Sequence, residues 1–265
     1  MRIALGIEYQ GTGYHGWQIQ STCITIQSCL ETALSRVADT PIRVHAAGRT
    51  DAGVHACGQV VHFDTEVERS DRAWLWGTNH YLPADIQVRW VAQVDDDFHA
   101  RFSAQARTYR YLIDNHSIAS ALWRAHSVWV AAPLAVAAMN EGAAHLLGAH
   151  DFSSFRGPHC QSKTPMRCMH ALQVRRQGDW VEVDITANAF LHNMVRNILG
   201  VLVEVGKGRQ DPQWVQEVLA ARMRTKAART FPPQGLYLMR VDYCAPWLFP
   251  QNDATLAASC AYSVS

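Results

Sequence analysis

The run Ala47-Gly48-Arg49-Thr50-Asp51-Ala52-Gly53-Val54-His55-Ala56 places a carboxylate between glycines, two residues after an arginine in sequence, just after the strand-like segment 42–46. Glycine lets backbone approach a ligand closely, and loops carried on a rigid scaffold are where binding and catalytic groups concentrate. Asp51 so placed suits direct contact with a bound molecule. The same composition also makes a tight turn whose aspartate caps a short helix, and composition alone leaves both readings open.

A second chemical feature is the arginine content. Of the 24 basic residues, 21 are arginine, whose rigid fork suits phosphate. The net charge of +1 hides an asymmetry, because residues 1–100 sum to −5 and residues 101–265 to +6. Between Arg196 and Arg229 seven basic residues face three acids. A polyanion lying on the second half fits this distribution, as do ordinary solvated arginine-rich faces. The seven cysteines leave an odd one and show no regular framework, so reduced thiols are expected. His159-Cys160 and Cys168-x-His170 lack close paired-ligand spacing, and no structural metal is expected.

Hydrophobic residues make up 48% of the 265 and charged ones 18%, enough for a substantial core in one or two domains. The N-terminus has no basic region followed by an apolar signal run, and the most apolar helical stretch, 190–205, carries His192, Arg196 and Glu204. A soluble, cytoplasmic protein with no membrane association is expected.

The elements that must position these groups follow from periodicity. Residues 2–8 alternate as a strand, and 25–38 place Ile26, Leu30, Ala33, Leu34 and Val37 on one helical face. Strands near 42–48 and 58–65, a helix at 69–81 and a strand at 86–95 complete a β-α-β-β-α-β order. The order recurs with a strand at 107–113, a helix at 134–147, a hairpin at 169–177 and 180–187, a helix at 189–205 and a strand at 236–243. Asp211-Pro212 starts an added helix at 212–222. The repetition predicts an α+β protein of two tandem ferredoxin-like units, with an antiparallel or mixed sheet and a central cleft. The expected halves are 1–103 and 104–245, followed by an extension at 246–265. Joined sheets would leave one broad surface free of helices for a large ligand.

Several stretches, in order along residues 2–243, then identify a relationship. They are Gly11-Thr12-Gly13-Tyr14-His15-Gly16-Trp17-Gln18, Gly48 to Ala56 with Gly58-Gln59-Val60, and Phe98-His99-Ala100-Arg101-Phe102. Others are Arg107-Thr108-Tyr109-Arg110-Tyr111, Asp151-Phe152-Ser153-Ser154-Phe155, Phe190 to Asn197, and Pro233-Gln234-Gly235-Leu236-Tyr237-Leu238. Together they resemble the TruA family of pseudouridine synthases. The resemblance implies conversion of uridine to pseudouridine at positions 38, 39 and 40 of the tRNA anticodon stem-loop, by a homodimer, without cofactor or metal. It implies that Asp51 is the essential carboxylate (nucleophile or general base), that Tyr109 stacks on the target base, and that Arg196 is the basic partner of the aspartate. It further implies that Leu236 lines the pocket and that Arg49 attends the displaced base or its backbone.

Arg101, Arg107, Arg110, Lys207 and Arg209 are the candidates for RNA backbone contact, against the alternative of solvent-facing decoration. For Tyr109, alternating with Arg107 and Tyr111 on one strand face, core packing competes with RNA contact. None of the 13 histidines is assigned to catalysis; His15 and His55 suit bonds to backbone or phosphate, and His45 and His62 suit partly exposed strand positions. Two other classes share parts of this pattern. A noncatalytic RNA-binding platform would not need Asp51 to face a pocket, and an enzyme for a small phosphate compound would need a narrow closed one.

Overall fold

The computed structural model describes residues 1–250. Within these, contacts divide the chain into two compact units, one of residues 1–105 with 237–250 and one of residues 106–236. The first unit contains β1 (Arg2–Tyr9), α1 (Ile26–Ala38), the two-residue β2 (His45–Ala46), β3 (His55–Asp64), α2 (Thr78–Tyr81) and β4 (Ile86–Val94). Its strands run β4-β1-β3 with β2 beyond β3, all antiparallel, which is the ferredoxin-like order.

Local chemistry accounts for these elements. Thr25 caps α1, its hydroxyl accepting from the Ser28 amide while the Ser28 hydroxyl accepts from the Thr25 amide. The helix then buries Ile26, Leu30, Ala33, Leu34 and Ala38, close to the expected stripe. The expected helix at 69–81 forms, but Ala73–Gly77 widens into a π-helical segment before α2. That segment buries Trp74 edge-on against Phe63 at 5.2 Å, a contact between side chains each contributing about 1.5–3 kcal/mol by burial. Asn79 of α2 donates to the Val88 carbonyl and accepts from the Val88 amide, so a side-chain amide occupies the outer edge of β4.

The other sheet face is covered too. Gly6 lies opposite Trp90, and a Cβ there would stand 2.1 Å from the indole nitrogen. Phe98 is ringed by Tyr243, Trp247 and Phe249, and Phe249 stacks on Trp90 at 4.7 Å. Residues 246–250 of the expected extension therefore pack on this unit, and 251–265 lie outside the described residues. The C-terminal strand β10 (Leu236–Tyr243), expected to close the second half, pairs in parallel with β3 through Tyr237 and Leu238. Its aromatic end explains why contacts group residues from Tyr237 onward with the first unit rather than the second.

The second unit takes up β5 (Ala104–Asp114) from Ala106 onward, then β6 (Val128–Trp129), α3 (Val136–Ala144), β7 (Gly148–Asp151), β8 (Met166–Gln177), β9 (Trp180–Ala187), α4 (Met194–Gly206) and α5 (Gln213–Ala221). β5, β9, β8 and β7 are successive antiparallel neighbours, repeating the ferredoxin-like arrangement with β7 added outside β8. The hairpin turns at Gly178, in a left-handed conformation with φ of 58°. β6 and β7 were not anticipated, being too short to show a period. The expected helix at 189–205 begins only at Met194, because Asn193 is left-handed with φ of 60° and ends a loop over 189–193. Asn140 of α3 holds both the amide and the carbonyl of Val174 on β8, repeating the device of Asn79.

One expectation about histidine is corrected. His62 is buried at 1% exposure, not partly exposed, because its ring is packed against His45, His99 and Phe98. Its Nδ1 accepts from the Ala100 amide, which fixes the neutral tautomer. Burial first, and then the neighbouring His99, His45 and Arg2, lower its pKa from 6.5 to about 4. His99 is lowered in the same direction, again chiefly by burial. A histidine held neutral stabilises the fold fully above its unfolded pKa, and the unfolded chain binds the extra proton as pH falls. Unfolding free energy is therefore expected to decline between pH 6.5 and about 4, and urea titrations of H62N are expected to show a shallower slope across that window than wild type.

Candidate active site

The Asp51 loop is built from the first unit. Ala47 enters it donating to the Val60 carbonyl at 2.8 Å, and β3 leaves it at His55. Between these points the carbonyls and hydroxyl of the loop are bound one after another. The Gln59 amide donates to the Gly48 carbonyl at 2.6 Å, the Trp17 amide to the Thr50 carbonyl at 3.0 Å, and the Tyr9 and Thr50 hydroxyls bond at 2.8 Å. The Asp51 carbonyl accepts from the Val54 amide at 3.1 Å, closing a turn that continues through Gly53, with φ of 79°. His55 Nδ1 accepts from the Gly11 amide at 3.1 Å, and its ring stacks on Tyr237 at 4.6 Å.

Gly16 presses on the loop from the preceding segment. It holds φ of 85°, and a Cβ there would lie 2.8 Å from the Thr50 carbonyl oxygen and 3.0 Å from the Ala52 amide. The Gly-rich, aromatic stretch after β1 is thus the floor on which the loop rests. Asp51 is half-buried and Arg49 exposed, so both side chains reach solvent from a backbone that is pinned. Asp51 is not spent as a helix cap, since no helix starts in the segment from Ala47 to Val54.

Tyr109, Arg196 and Leu236 belong to the second unit. Tyr109 lies on β5 opposite Ile185, buried at 8% exposure, with its ring edge-on to Phe190 at 5.1 Å. Its strand-face neighbours are buried as well. Arg107 donates to the Asn188 carbonyl at 2.8 Å, and the Tyr111 hydroxyl donates to the Pro232 carbonyl at 2.6 Å. Burial thus applies to all three residues of that face, and the open part of Tyr109 is small.

Arg196 sits in the first turn of α4, half-buried. Its Nε donates to the Phe231 carbonyl at 2.8 Å and its Nη1 to Asn193 Oδ1 at 3.1 Å, while the Phe231 amide donates to the Arg196 carbonyl at 3.0 Å. Segment 228–231 can lie this close because Gly200 has no side chain; a Cβ there would be 2.1 Å from the Arg229 carbonyl oxygen. Beneath it, fully buried Asn197 donates to the Phe155 carbonyl and accepts from Arg224 and from the Thr230 hydroxyl. The guanidinium is thereby held in one orientation. Leu236 is buried at the start of β10.

The backbone-contact candidates divide by their partners. Arg110 forms a two-pronged ion pair with Asp184 at 2.7 and 3.0 Å across β5 and β9, where Arg175 also meets Asp184. That geometry is a strut between strands. Lys207 and Arg209 both bind Glu204, at 3.1 and 3.2 Å, with Arg209 the more exposed. Arg101 is exposed and stands 5.6 Å from the centroid of the exposed Phe102 ring. Among the described residues no group of three or more His, Cys, Asp or Glu side chains is arranged to hold a metal ion.

A family model for tRNA pseudouridine synthase matches residues 6–103 and 143–244. The chain belongs to the tRNA pseudouridine synthase family. It is 58% identical over 243 residues to the tRNA pseudouridine synthase A of Methylococcus capsulatus, covering 92% of this chain and 90% of that one. It is 53% identical over 251 residues to that of Shewanella pealeana, covering 95% and 96%, and 51% identical over 256 residues to that of Alcanivorax borkumensis, covering 96% and 95%. The family segments include Arg49, Asp51, Arg196 and Leu236, while Tyr109 falls between them. An α+β architecture of tandem ferredoxin-like units is the fold of this family, in agreement with the sequence reading.

Sequence reasoning did not find the supports of these groups: Tyr9, Thr50 and Gln59 under the aspartate loop, and Asn193, Asn197 and Phe231 around the arginine. Gln59 and Asn197 carried a signal, each being an amide set in an apolar run, where a buried polar group demands a partner. Gly16 gives the sharpest check on the loop floor. G16A is expected to lower stability by about 1–3 kcal/mol in urea unfolding, and to lower tRNA turnover beyond that loss when assayed at a temperature where the variant remains folded.

Proposed function

We propose that this protein isomerises uridine to pseudouridine at positions 38, 39 and 40 of the tRNA anticodon stem-loop, with Asp51 as the essential carboxylate. Membership of the family supports the reaction, and the observation that carries the residue assignment is a half-buried aspartate on a loop whose Gly48 and Thr50 carbonyls and Thr50 hydroxyl are hydrogen-bonded. The reaction breaks the bond from C1′ to N1, turns the uracil in place and joins C1′ to C5, whose proton is then lost. A proton taken up at N1 balances the one lost from C5, so the product is an isomer of the substrate and the protein must supply charge at C1′ and hold the detached base. A carboxylate does the first by attacking C1′, or by countering cationic charge there and removing the proton from C2′.

In this reading Arg196 is the cationic partner of the Asp51 carboxylate, with its own orientation set by Phe231 and Asn193. Tyr109 stacks on the uracil and is itself braced by Phe190. Leu236 is an apolar wall, and Arg49, exposed beside Asp51, engages the displaced nucleotide. Extracting a stem base costs a few kcal/mol, which backbone contacts offset. Arg101 and Arg209, the more exposed of the backbone candidates, fit that task better than Arg110, which is engaged by Asp184. Arg107 and Lys207 complete the proposed set. The protein acts as a cytoplasmic homodimer without a cofactor, away from membranes; no helix among the described residues is long and apolar enough to cross one.

The test is tritium release from C5-labelled uridine in an unmodified tRNA transcript. Wild type is expected to release tritium at positions 38–40, and D51N to release none while binding the transcript within about threefold of wild type. Binding without release by wild type would favour a noncatalytic RNA platform. Sedimentation velocity is expected to give a dimer at micromolar concentration, and a monomer would remove the second subunit from the proposal.

A further inference from the structure

Gln59 is fully buried on β3, yet its Oε1 has no hydrogen-bond partner among the described residues. Leaving such an atom unpaired costs about 1–3 kcal/mol, so the presence of an amide here is explained by what its other end binds. The other end of the amide shows what the residue does. Nε2 donates to the Gly48 carbonyl at 2.6 Å and faces the Tyr9 hydroxyl at 3.5 Å. Reversing the amide would set its oxygen against the Gly48 carbonyl oxygen, two acceptors in contact, so the orientation is determined by the loop.

Direction then propagates. With Gln59 donating toward the Tyr9 oxygen, the Tyr9 proton is directed to Thr50 Oγ1 at 2.8 Å. Burial pushes the Tyr9 phenol up to about 12, so it stays a donor throughout the neutral range. The chain of bonds begins at the Gly48 carbonyl and ends on the side chain directly before Asp51. Together with the Trp17 amide on the Thr50 carbonyl, it fixes backbone on the entry side of the aspartate.

We infer that Tyr9, Gln59 and Thr50 form a buried hydrogen-bonded strut that positions the Asp51 carboxylate for the chemical step, making the three of them positioning residues for the reaction. This rests on the proposed role of Asp51. The strut is buried and acts by restricting the loop, and misplacement of a reacting group by about 1 Å is enough to cost about a hundredfold in rate. Its signature is a fall in kcat without a change in tRNA binding.

Y9F removes one oxygen from the strut, and T50V replaces the receiving hydroxyl with a methyl group. Each is expected to lower kcat for tritium release about ten- to hundredfold with KM for the transcript within twofold of wild type. The double variant is expected to be no slower than the worse single one, since both break the same bond. T50S, which keeps the hydroxyl, is expected to restore most of the kcat lost in T50V. Thermal unfolding of each variant identifies any preparation that is not folded at the assay temperature, and the single-atom change in Y9F keeps the test available where T50V does not fold. Unchanged kcat in Y9F, a matching rise in KM, or T50S as slow as T50V would overturn the strut. An inactive wild type would instead remove the reading of Asp51 on which it stands.

Discussion

A carbonyl turned inward in a tight loop must find a donor, and much of the first unit is arranged to provide one. Gly48 and Thr50 present such carbonyls on either side of Arg49, and they are met by the Gln59 side chain from β3 and by the Trp17 amide from the segment after β1. This requirement explains why an amide stands in an otherwise apolar strand, why a tyrosine hydroxyl is buried beneath the loop, and why Gly16 adopts a conformation closed to most residues. Satisfying the backbone leaves the Asp51 side chain as the loop's chemical product, held out from a rigid base.

The second unit solves a similar problem for a cation. An arginine in the first turn of a helix has many rotamers, and fixing it costs side-chain entropy. Here the Phe231 carbonyl and the Asn193 side chain take up two sides of the guanidinium, and Gly200 allows the chain carrying Phe231 to run against α4. The buried Asn197 then holds segment 224–230 in place. In each unit the backbone that carries the candidate side chain is fixed by hydrogen bonds from residues distant in sequence. Substitutions in the supports are therefore expected to alter rate before they alter affinity.

Much of the scaffold was legible in the sequence because its periods are strong. The stripe of α1 and the hairpin of β8 and β9 each hold a repeating apolar pattern long enough to rise above noise, and each forms close to where expected. Shorter elements escaped: β2 shrinks to two residues, and β6 and β7 have no period to show. His62 was misjudged because alternation says which residues share a face, but not whether a later segment covers that face.

By itself the sequence determined the α+β repeat and the family and singled out Asp51 as the candidate carboxylate, since these depend on residue type, order and spacing along the chain. Only the tertiary structure decided which residues hold that carboxylate's loop, that Arg110 is tied to Asp184, and that β10 joins β3. Those outcomes depend on hydrogen bonds and ring contacts between residues far apart in the chain, where a donor finds its acceptor only after the strands have chosen their neighbours.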